Sequence, residues 1–571
     1  MERTGPPPQY LDGLTPRPLK VCMVRPPTLT SVGAVGQDAV PPIGPAYITG
    51  SMVAAGHDVT AIDAVGESLE QYTRLPGYDH VLVHGLMGPG IVVRIPPDVD
   101  VIAISSMFSV EWPITRPIIE TIREAFPDAL IVLGGEHVTA APDFSLESCH
   151  AIDVGVMGEG EETMLELLDV YSRAGDLGEV NGIVYRRNGE IRHTAPRARI
   201  RDIDEIAAPT WELWPVENYI DRELTHGVNL GRSMPILASR GCPYQCTFCS
   251  SPQMWTTLWR ARDPELLIAE MKEYMQRYNV TNFDFYDLTA IVKKDWIVEF
   301  CGLLEREKLD ITWQLPSGTR SEAIDSEVAE LLYRSGCRSM NYAPETGSQE
   351  ELNRIKKKVK VDRMLVSMRS VHKEGVQIKV NFIFGLPGQT WRDVRKTFKF
   401  FARLAWAGVE DIACFPYSPY PGTELFDQLV EDGKIVVDED YFISLLGYTD
   451  VANSTSYSDF IGSRQLSILN ITGMAFFYSL NYLFRPWRAV RFIGGVLGSK
   501  NSSKLTMALA NTRRKRQAAR LFRQTGQQTV NIPVGQGGVP SLGSYGRPRP
   551  SKRPATVAGR KNPGLSEAEP R

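Results

Sequence analysis

Ala238-Ser-Arg-Gly-Cys-Pro-Tyr-Gln-Cys-Thr-Phe-Cys-Ser250 is the stretch around which the rest of the chain is organised. It places Cys242, Cys246 and Cys249 within eight residues of one loop, after the short apolar run Met234–Ala238 and with no fourth cysteine nearby. A structural zinc site or an ordinary electron-transfer cluster takes four protein ligands. Three thiolates instead fill three corners of a 4Fe-4S cube and leave one iron open to a further ligand. The residues alone leave two alternatives: a zinc site completed by a distant histidine, or three unrelated thiols. With eight cysteines in the whole chain, chance clustering at this spacing is a poor account of them.

The chain has 571 residues, which favours two or three domains over a single core. Its cysteines are too sparse for a disulfide framework, and a low-potential cluster needs a reducing compartment, so a cytoplasmic setting is expected. The start, Met1-Glu-Arg-Thr-Gly-Pro-Pro-Pro, lacks the apolar core of a secretory signal, and no apolar run is long enough to span a bilayer. Charge is segregated. Residues 1–484 hold 45 Lys plus Arg against 65 Asp plus Glu, a balance of -20, whereas residues 485–561 hold 17 basic residues and no acidic one. Such a basic tail suits an anionic surface or simple solvation.

Around the cysteine loop, apolar runs alternate with helical patterns. Leu19–Val24, Val59–Asp63, Val101–Ser105 and Ala129–Leu133 are predicted strands, with helices over Gly44–Ala55 and Pro113–Phe126. Repeated βα units imply a doubly wound parallel sheet, which binds ligands at the carboxyl ends of its strands. The loops Leu133-Gly-Gly-Glu-His137 and Val156-Met-Gly-Glu-Gly-Glu161 fall at those ends. No GxGxxG follows the first strand, so a dinucleotide is poorly supported. Asn188-Gly189 predicts a hairpin. Strands at Asn282–Tyr286, Ile311–Leu315, Ser339–Ala343, Lys379–Phe384 and Asp411–Pro416, separated by helices, suit an open, partial TIM-like barrel.

CxxxCxxC with Phe248 before its last cysteine resembles the cluster motif of the radical S-adenosylmethionine (SAM) enzymes. The first third is similar to the cobalamin-binding domain that precedes many of them, through Pro41-Pro-Ile-Gly-Pro-Ala-Tyr47, Ala55-Gly-His-Asp-Val59, Gly134-Gly-Glu-His137 and Gly158-Glu-Gly-Glu161. The DxHxxG motif that ligates cobalt in many cobalamin proteins is absent, because Asp79-His-Val-Leu-Val-His-Gly85 has the wrong spacing. The resemblance implies an α/β architecture: a Rossmann-like cobalamin domain over 1–200, a linker over 201–228, a (β/α)6 radical SAM core over 229–435, a helical extension over 436–525 and a disordered basic tail over 526–571. It further implies a 4Fe-4S cluster on Cys242, Cys246 and Cys249. SAM would lie near Phe248, Asp287 (ammonium), Arg320 (carboxylate), Glu345 (ribose) and Gly385 (adenine). Cobalamin would lie near Ser105, Ser106, Gly134, Gly135, His137, Gly158 and Glu159. Cys301, Cys337 and Cys414 are isolated and offer no auxiliary cluster.

The aromatic stretch Ile471–Phe484, running into Arg485, is expected either to cap the barrel or to touch a membrane surface peripherally. The implied activity is methylation of an unactivated carbon: a 5'-deoxyadenosyl radical abstracts hydrogen and methylcobalamin supplies the methyl group. The alternatives are an oxidative cyclase or rearrangement enzyme of the same architecture, and a non-catalytic cobalamin- or SAM-responsive binding protein. The expected partners are a small, hydrophobic substrate and a reductant protein such as flavodoxin or ferredoxin, with no nucleic acid.

Overall fold

Of five short aliphatic runs in the first third, four are buried on both faces and one, Asp58–Asp63, keeps Asp58 and Thr60 exposed as an edge strand. Only a parallel sheet covered by helices satisfies the four. In the computed structural model, which describes residues 17–36, 39–320, 322–450, 454–497 and 504–534, they pair accordingly. Asp58–Asp63 lies beside Lys20–Arg25, and Val101–Ser105, Leu130–Gly134 and Val154–Val156 follow on its other side, all parallel. The antiparallel hairpin Ile183–Arg187/Glu190–His193 extends that edge. Its turn has Asn188 and Gly189 at φ 52° and 83°, as a two-residue hairpin turn demands. Chain order steps outward in opposite directions from Lys20–Arg25, so the topological switch lies between that strand and Val101–Ser105.

The second sheet has six parallel strands in chain order: Ser233–Ile236, Asn282–Phe285, Thr312–Thr319, Cys337–Glu345, Gln377–Phe384 and Asp411–Pro416. This is the partial barrel that the alternation predicts. Along Gln377–Phe384, Ile378, Val380, Phe382 and Phe384 are buried toward the helices, where Phe382 meets Phe400 and Phe401. Lys379, Asn381 and Ile383 take the opposite, inner face. The helix Trp391–Ala407 shows how local chemistry fixes these crossovers: Thr390 and Asp393 form a capping box, and Gly408 closes the helix at φ 99°.

Two expectations need correction, and one further sheet stands outside them. Residues 201–228 are no loose linker: Trp211 and Tyr219 are buried, Trp214 Nε1 donates to Thr49 Oγ1 at 3.1 Å and Tyr219 Oη donates to Asp63 Oδ2 at 2.6 Å. The aromatics outweigh the polar composition. A small antiparallel sheet of Thr28–Ser31, Val81–His84 and Gln71–Arg74 was not foreseen. Its edge is completed by Thr529–Asn531, so the expected disorder from residue 526 fails there, because Val530 and Ile532 bury themselves against Tyr72, Leu82 and Phe522. Residues 535–571 of the expected basic tail lie outside the described residues.

The helical extension contains Glu439–Ser444, Ser463–Phe484, Pro486–Leu497 and Lys504–Thr525. Ser463–Phe484 packs along Trp391–Ala407 and the last barrel strand, with Phe477 fully buried.

Candidate functional site

The carboxyl edge of the first sheet faces the start of the barrel across a cleft with about 1220 Å³ of empty space, partly open to solvent. Its sheet wall includes Met23, Ser105, Gly134, Gly135, Gly158 and Glu159; its barrel wall includes Leu237, Arg240, Met254, Trp255, Tyr286 and Leu288. Such a chiefly apolar, glycine-edged wall fits a large flat ring. A Cβ on Gly134 would stand in open space, whereas at Gly135, with φ 115°, it would lie 2.4 Å from the Ser106 carbonyl oxygen. Only glycine fits that turn.

Two of the residues expected about the corrin do not line the cleft. Ser106 is buried, its hydroxyl without a partner. His137 is also fully buried, with Nδ1 3.0 Å from Ser109 Oγ and its ring 4.5 Å from that of Trp112, between Phe144 and Phe442. Burial pushes its imidazole down to about 3, so it stays neutral in an aromatic nest. The cleft walls include no histidine. His84 belongs to the small sheet, where Nε2 meets the Leu69 carbonyl, and His80 is exposed.

The two halves are joined by buried charges. Glu159 meets Arg260 at 3.0 Å and Arg240 at 3.4 Å, and Arg240 also meets Glu161 at 2.6 Å. Arg240 stands over the Tyr47 and Trp255 rings. Two arginines thus face two glutamates in a site shielded from water, and each buried charge has a partner of opposite sign. Through it the cleft loop Gly158–Glu161 is held to the strand that leads into Cys242. Glu136, at the mouth of the cleft, is hydrogen-bonded by Ser250 just after the last cysteine, while burial pushes its carboxyl up.

The three cysteines are half-buried on their loop, with Cys249 N donating to Cys246 O at 3.1 Å. Burial pushes the Cys249 thiol up to about 12, so the ligand-free chain carries it protonated. Among the described residues no three His, Cys, Asp or Glu side chains converge on one point as a single ion requires. A cube asks each thiolate to take its own iron. Two cations lie beside the loop: Arg320, stacked 3.3 Å over Tyr244, and Lys357, over Phe248 at 5.6 Å. Both lower the Cys242 and Cys246 thiols against the larger effect of burial. Such charges suit an anionic thiolate-ligated cluster.

The residues expected about SAM are placed less simply. Glu345 ends its strand at φ 66° and pairs with Lys357, beside the cysteine loop. Arg320 reaches the loop through Tyr244, but its fork is already engaged by Glu322 at 2.6 Å and by the Lys358 carbonyl. Asp287, expected to receive an ammonium, accepts from Ser239 Oγ at 2.5 Å and Ala238 N at 3.1 Å. Burial pushes its carboxyl up to about 6, and it acts as a clamp on the strand entering the cysteine loop. Gly385, at φ 83°, faces Leu466 of the long C-terminal helix and gives its N–H to Gln389. Cys301, Cys337 and Cys414 are core residues, Cys414 lying against the Gly473 position of that helix.

Sequence reasoning missed Tyr244, Arg240, Arg260 and Lys357. An arginine directly before Gly241-Cys242 and the run Lys356-Lys357-Lys358 were the available signals.

Residues 29–168 match the B12 binding domain family and residues 236–401 match the Radical SAM superfamily. An uncharacterized methyltransferase of Pyrococcus horikoshii is 29% identical over 419 residues, spanning 73% of this chain and 84% of its own length. The anaerobic magnesium-protoporphyrin IX monomethyl ester cyclase of Cereibacter sphaeroides is 28% identical over 416 residues, 72% of this chain and 63% of its own. In fold, the chain is similar to the radical SAM methyltransferase TsrM of Kitasatospora setae, solved with cobalamin and a 4Fe-4S cluster: TM-score 0.58 at 15% identity, covering 88% of this chain and 100% of that one. The chain thus carries a B12-binding domain followed by a Radical SAM domain, and the two open into one shared cleft.

Proposed function

We propose that this enzyme methylates an unactivated carbon of a small hydrophobic substrate held in the barrel mouth. The observation that carries the reading is the shared cleft: the same space is walled by Ser105, Gly134 and Gly158 from one half and by Arg240, Trp255 and Tyr286 from the other. A group carried on the sheet side therefore reaches a carbon held on the barrel side within one cleft. When bound, the cluster and the corrinoid supply the electron that cleaves SAM and the transferable methyl group. Cys242, Cys246 and Cys249 would hold the first; the Gly134–Gly135 and Gly158 turns would cradle the second. Arg320 and Lys357 place positive charge beside the thiolates, and the apolar wall excludes water from a reactive carbon.

For the substrate, the inner barrel face offers Lys379, 5.8 Å over the Phe415 ring, Phe415 stacked on Tyr448 at 4.8 Å, and Asn381, whose buried Oδ1 has no partner. Burial pushes the Lys379 ammonium down, while Asp411, opposite it in register, holds it up. The electron would come from a flavodoxin- or ferredoxin-like donor. A hydrophobic substrate also accords with peripheral attachment at the inner face of a membrane through the C-terminal helices. The likeness to the cyclase favours oxidative ring closure as the second reading.

Anaerobically reconstituted protein given methyl-labelled SAM decides between them. Methyl transfer yields labelled product with both 5'-deoxyadenosine and S-adenosylhomocysteine; ring closure yields 5'-deoxyadenosine without stoichiometric S-adenosylhomocysteine and overturns the proposal.

A further inference from the structure

The helix Pro486–Leu497 is amphipathic but turned inside out. Arg488 points inward, donating to the Gly408 and Val409 carbonyls at 2.8 and 2.9 Å and to Glu410 at 2.8 Å; Arg485 just before it donates to the Ala405 and Trp406 carbonyls. Both arginines thereby close the carboxyl end of Trp391–Ala407, whose last carbonyls need donors. The apolar side faces outward: Trp487, Val490 and Ile493 are 59%, 72% and 56% exposed. Leu483 is 72% exposed, and Trp406, 68% exposed, meets the Phe484 ring edge-on at 5.3 Å. The solvent face of Ser463–Phe484 continues the same character through Ile468 and Ile471, with no charged residue between Arg464 and Arg485. An ordinary helix in water shows the reverse arrangement, and contiguous exposed apolar surface of this kind marks a covered face.

What covers it is indicated by charge. On the next helix, Lys504–Thr525, Arg513, Arg516, Arg520 and Arg523 are exposed at spacings of three, four and three, one face of a helix. That helix is anchored by its other side: Lys515 Nζ meets the Ala34 and Gly36 carbonyls, and Ala518 and Phe522 pack on the small sheet. No acidic residue occurs from Arg485 to Lys561. A second copy would bring one acid-free basic segment toward another with no carboxylate to meet it. No helix among the described residues is long and apolar enough to cross a membrane.

We infer that the outward face of Ser463–Phe484 and Pro486–Leu497 is a docking surface for an anionic lipid bilayer, in which Leu483, Trp487, Val490 and Ile493 enter the headgroup boundary and the arginine stripe meets the lipid phosphates. This deepens the peripheral attachment proposed above. Its failure leaves methyl transfer untouched, because product analysis in the absence of lipid tests that separately.

The test is flotation of the full chain with vesicles of phosphatidylcholine, alone or mixed equally with phosphatidylglycerol, at low and high salt. The expected result is binding to the mixed vesicles only, weakened by salt. Trp487→Ser/Val490→Ser/Ile493→Ser is expected to abolish flotation. Arg513→Glu/Arg516→Glu/Arg520→Glu/Arg523→Glu is expected to lower the partition constant by two to three orders of magnitude, about fivefold or more per arginine. All seven substituted positions, three apolar and four basic, lie on the surface, and unchanged circular dichroism and iron content confirm an intact body. No flotation of the wild type at low salt, or flotation that survives both variants, overturns the inference. So does a dimer in sedimentation velocity that the Trp487 variant splits, since a second copy would then cover the face.

Discussion

Arg240→Met tests whether the buried charge cluster holds the two halves together. Arg240 is nearly inaccessible, and it is the ion-pair partner that meets Glu161. Glu159 keeps Arg260 at 3.0 Å and the Ile200 N–H at 3.0 Å when Arg240 is lost. Glu161, by contrast, would carry an uncompensated charge in a site from which water is excluded. Breaking one side of such a pair costs about 3–5 kcal/mol, a large share of the roughly 5–15 kcal/mol by which domains are stable. Glu161→Gln alone should cost less, since Arg240 retains Glu159 at 3.4 Å and two aromatic faces. Arg240→Met/Glu161→Gln removes both charges, and its cost should fall below the sum of the singles by about 1–3 kcal/mol. The assay is urea unfolding of cofactor-free protein, followed by tryptophan fluorescence, with corrinoid uptake measured in parallel because Gly158–Glu161 edges the cleft. A loss under about 1 kcal/mol for Arg240→Met, or strict additivity in the double variant, would refute the reasoning.

Two further outcomes are expected. Glu351 is buried, accepts from Thr346 Oγ1 at 2.5 Å and from Gln389 Nε2 at 2.8 Å, and burial pushes its carboxyl up to about 7. A raised carboxyl favours folding fully below its unfolded value near 4.5, and that contribution declines as pH rises to about 7, by ~3 kcal/mol in all. Wild-type urea midpoints should therefore fall between about pH 5 and about pH 8 more steeply than those of Glu351→Gln, and equal slopes would exclude the coupling. His137→Phe should leave the cobalt spectrum of the loaded protein unchanged and shift stability by about 1 kcal/mol, the hydrogen bond to Ser109 being lost while a buried unpaired Nε2 is removed. An altered spectrum would return this side chain to the corrin.

What could be read from the sequence was what short segments decide by themselves. Both sheets follow from buried runs alternating with helical periods, and strand ends fell within a residue or two except at Thr312–Thr319, which runs four residues past the expected Leu315. The cysteine loop was equally local. Its surroundings were not. Lys357 approaches the loop from a turn more than a hundred residues on, and Arg320 is bound to it through Tyr244, so neither contact has a local pattern. Asp287 was placed correctly at a strand end, but nothing near it in sequence announces the Ser239 hydroxyl that donates to it.

The amino-acid sequence by itself determined the two α/β domains, their order and the three-thiolate loop, since periodicity, turn chemistry and ligand count are properties of neighbouring residues. Tertiary structure alone decided which loop residues face the cleft. His137 and Gly135 are two positions apart; Phe442, some 300 residues downstream, walls the histidine into an aromatic nest, while the glycine remains at the edge. It also decided that the sheet and the barrel open into one space, because the pairing of Glu159 and Glu161 with Arg240 and Arg260 depends on how two separately folded sheets meet. And it decided that Arg485 and Arg488 turn inward while Trp487 turns out, since the carbonyls awaiting those two arginines lie at the end of a helix some eighty residues earlier.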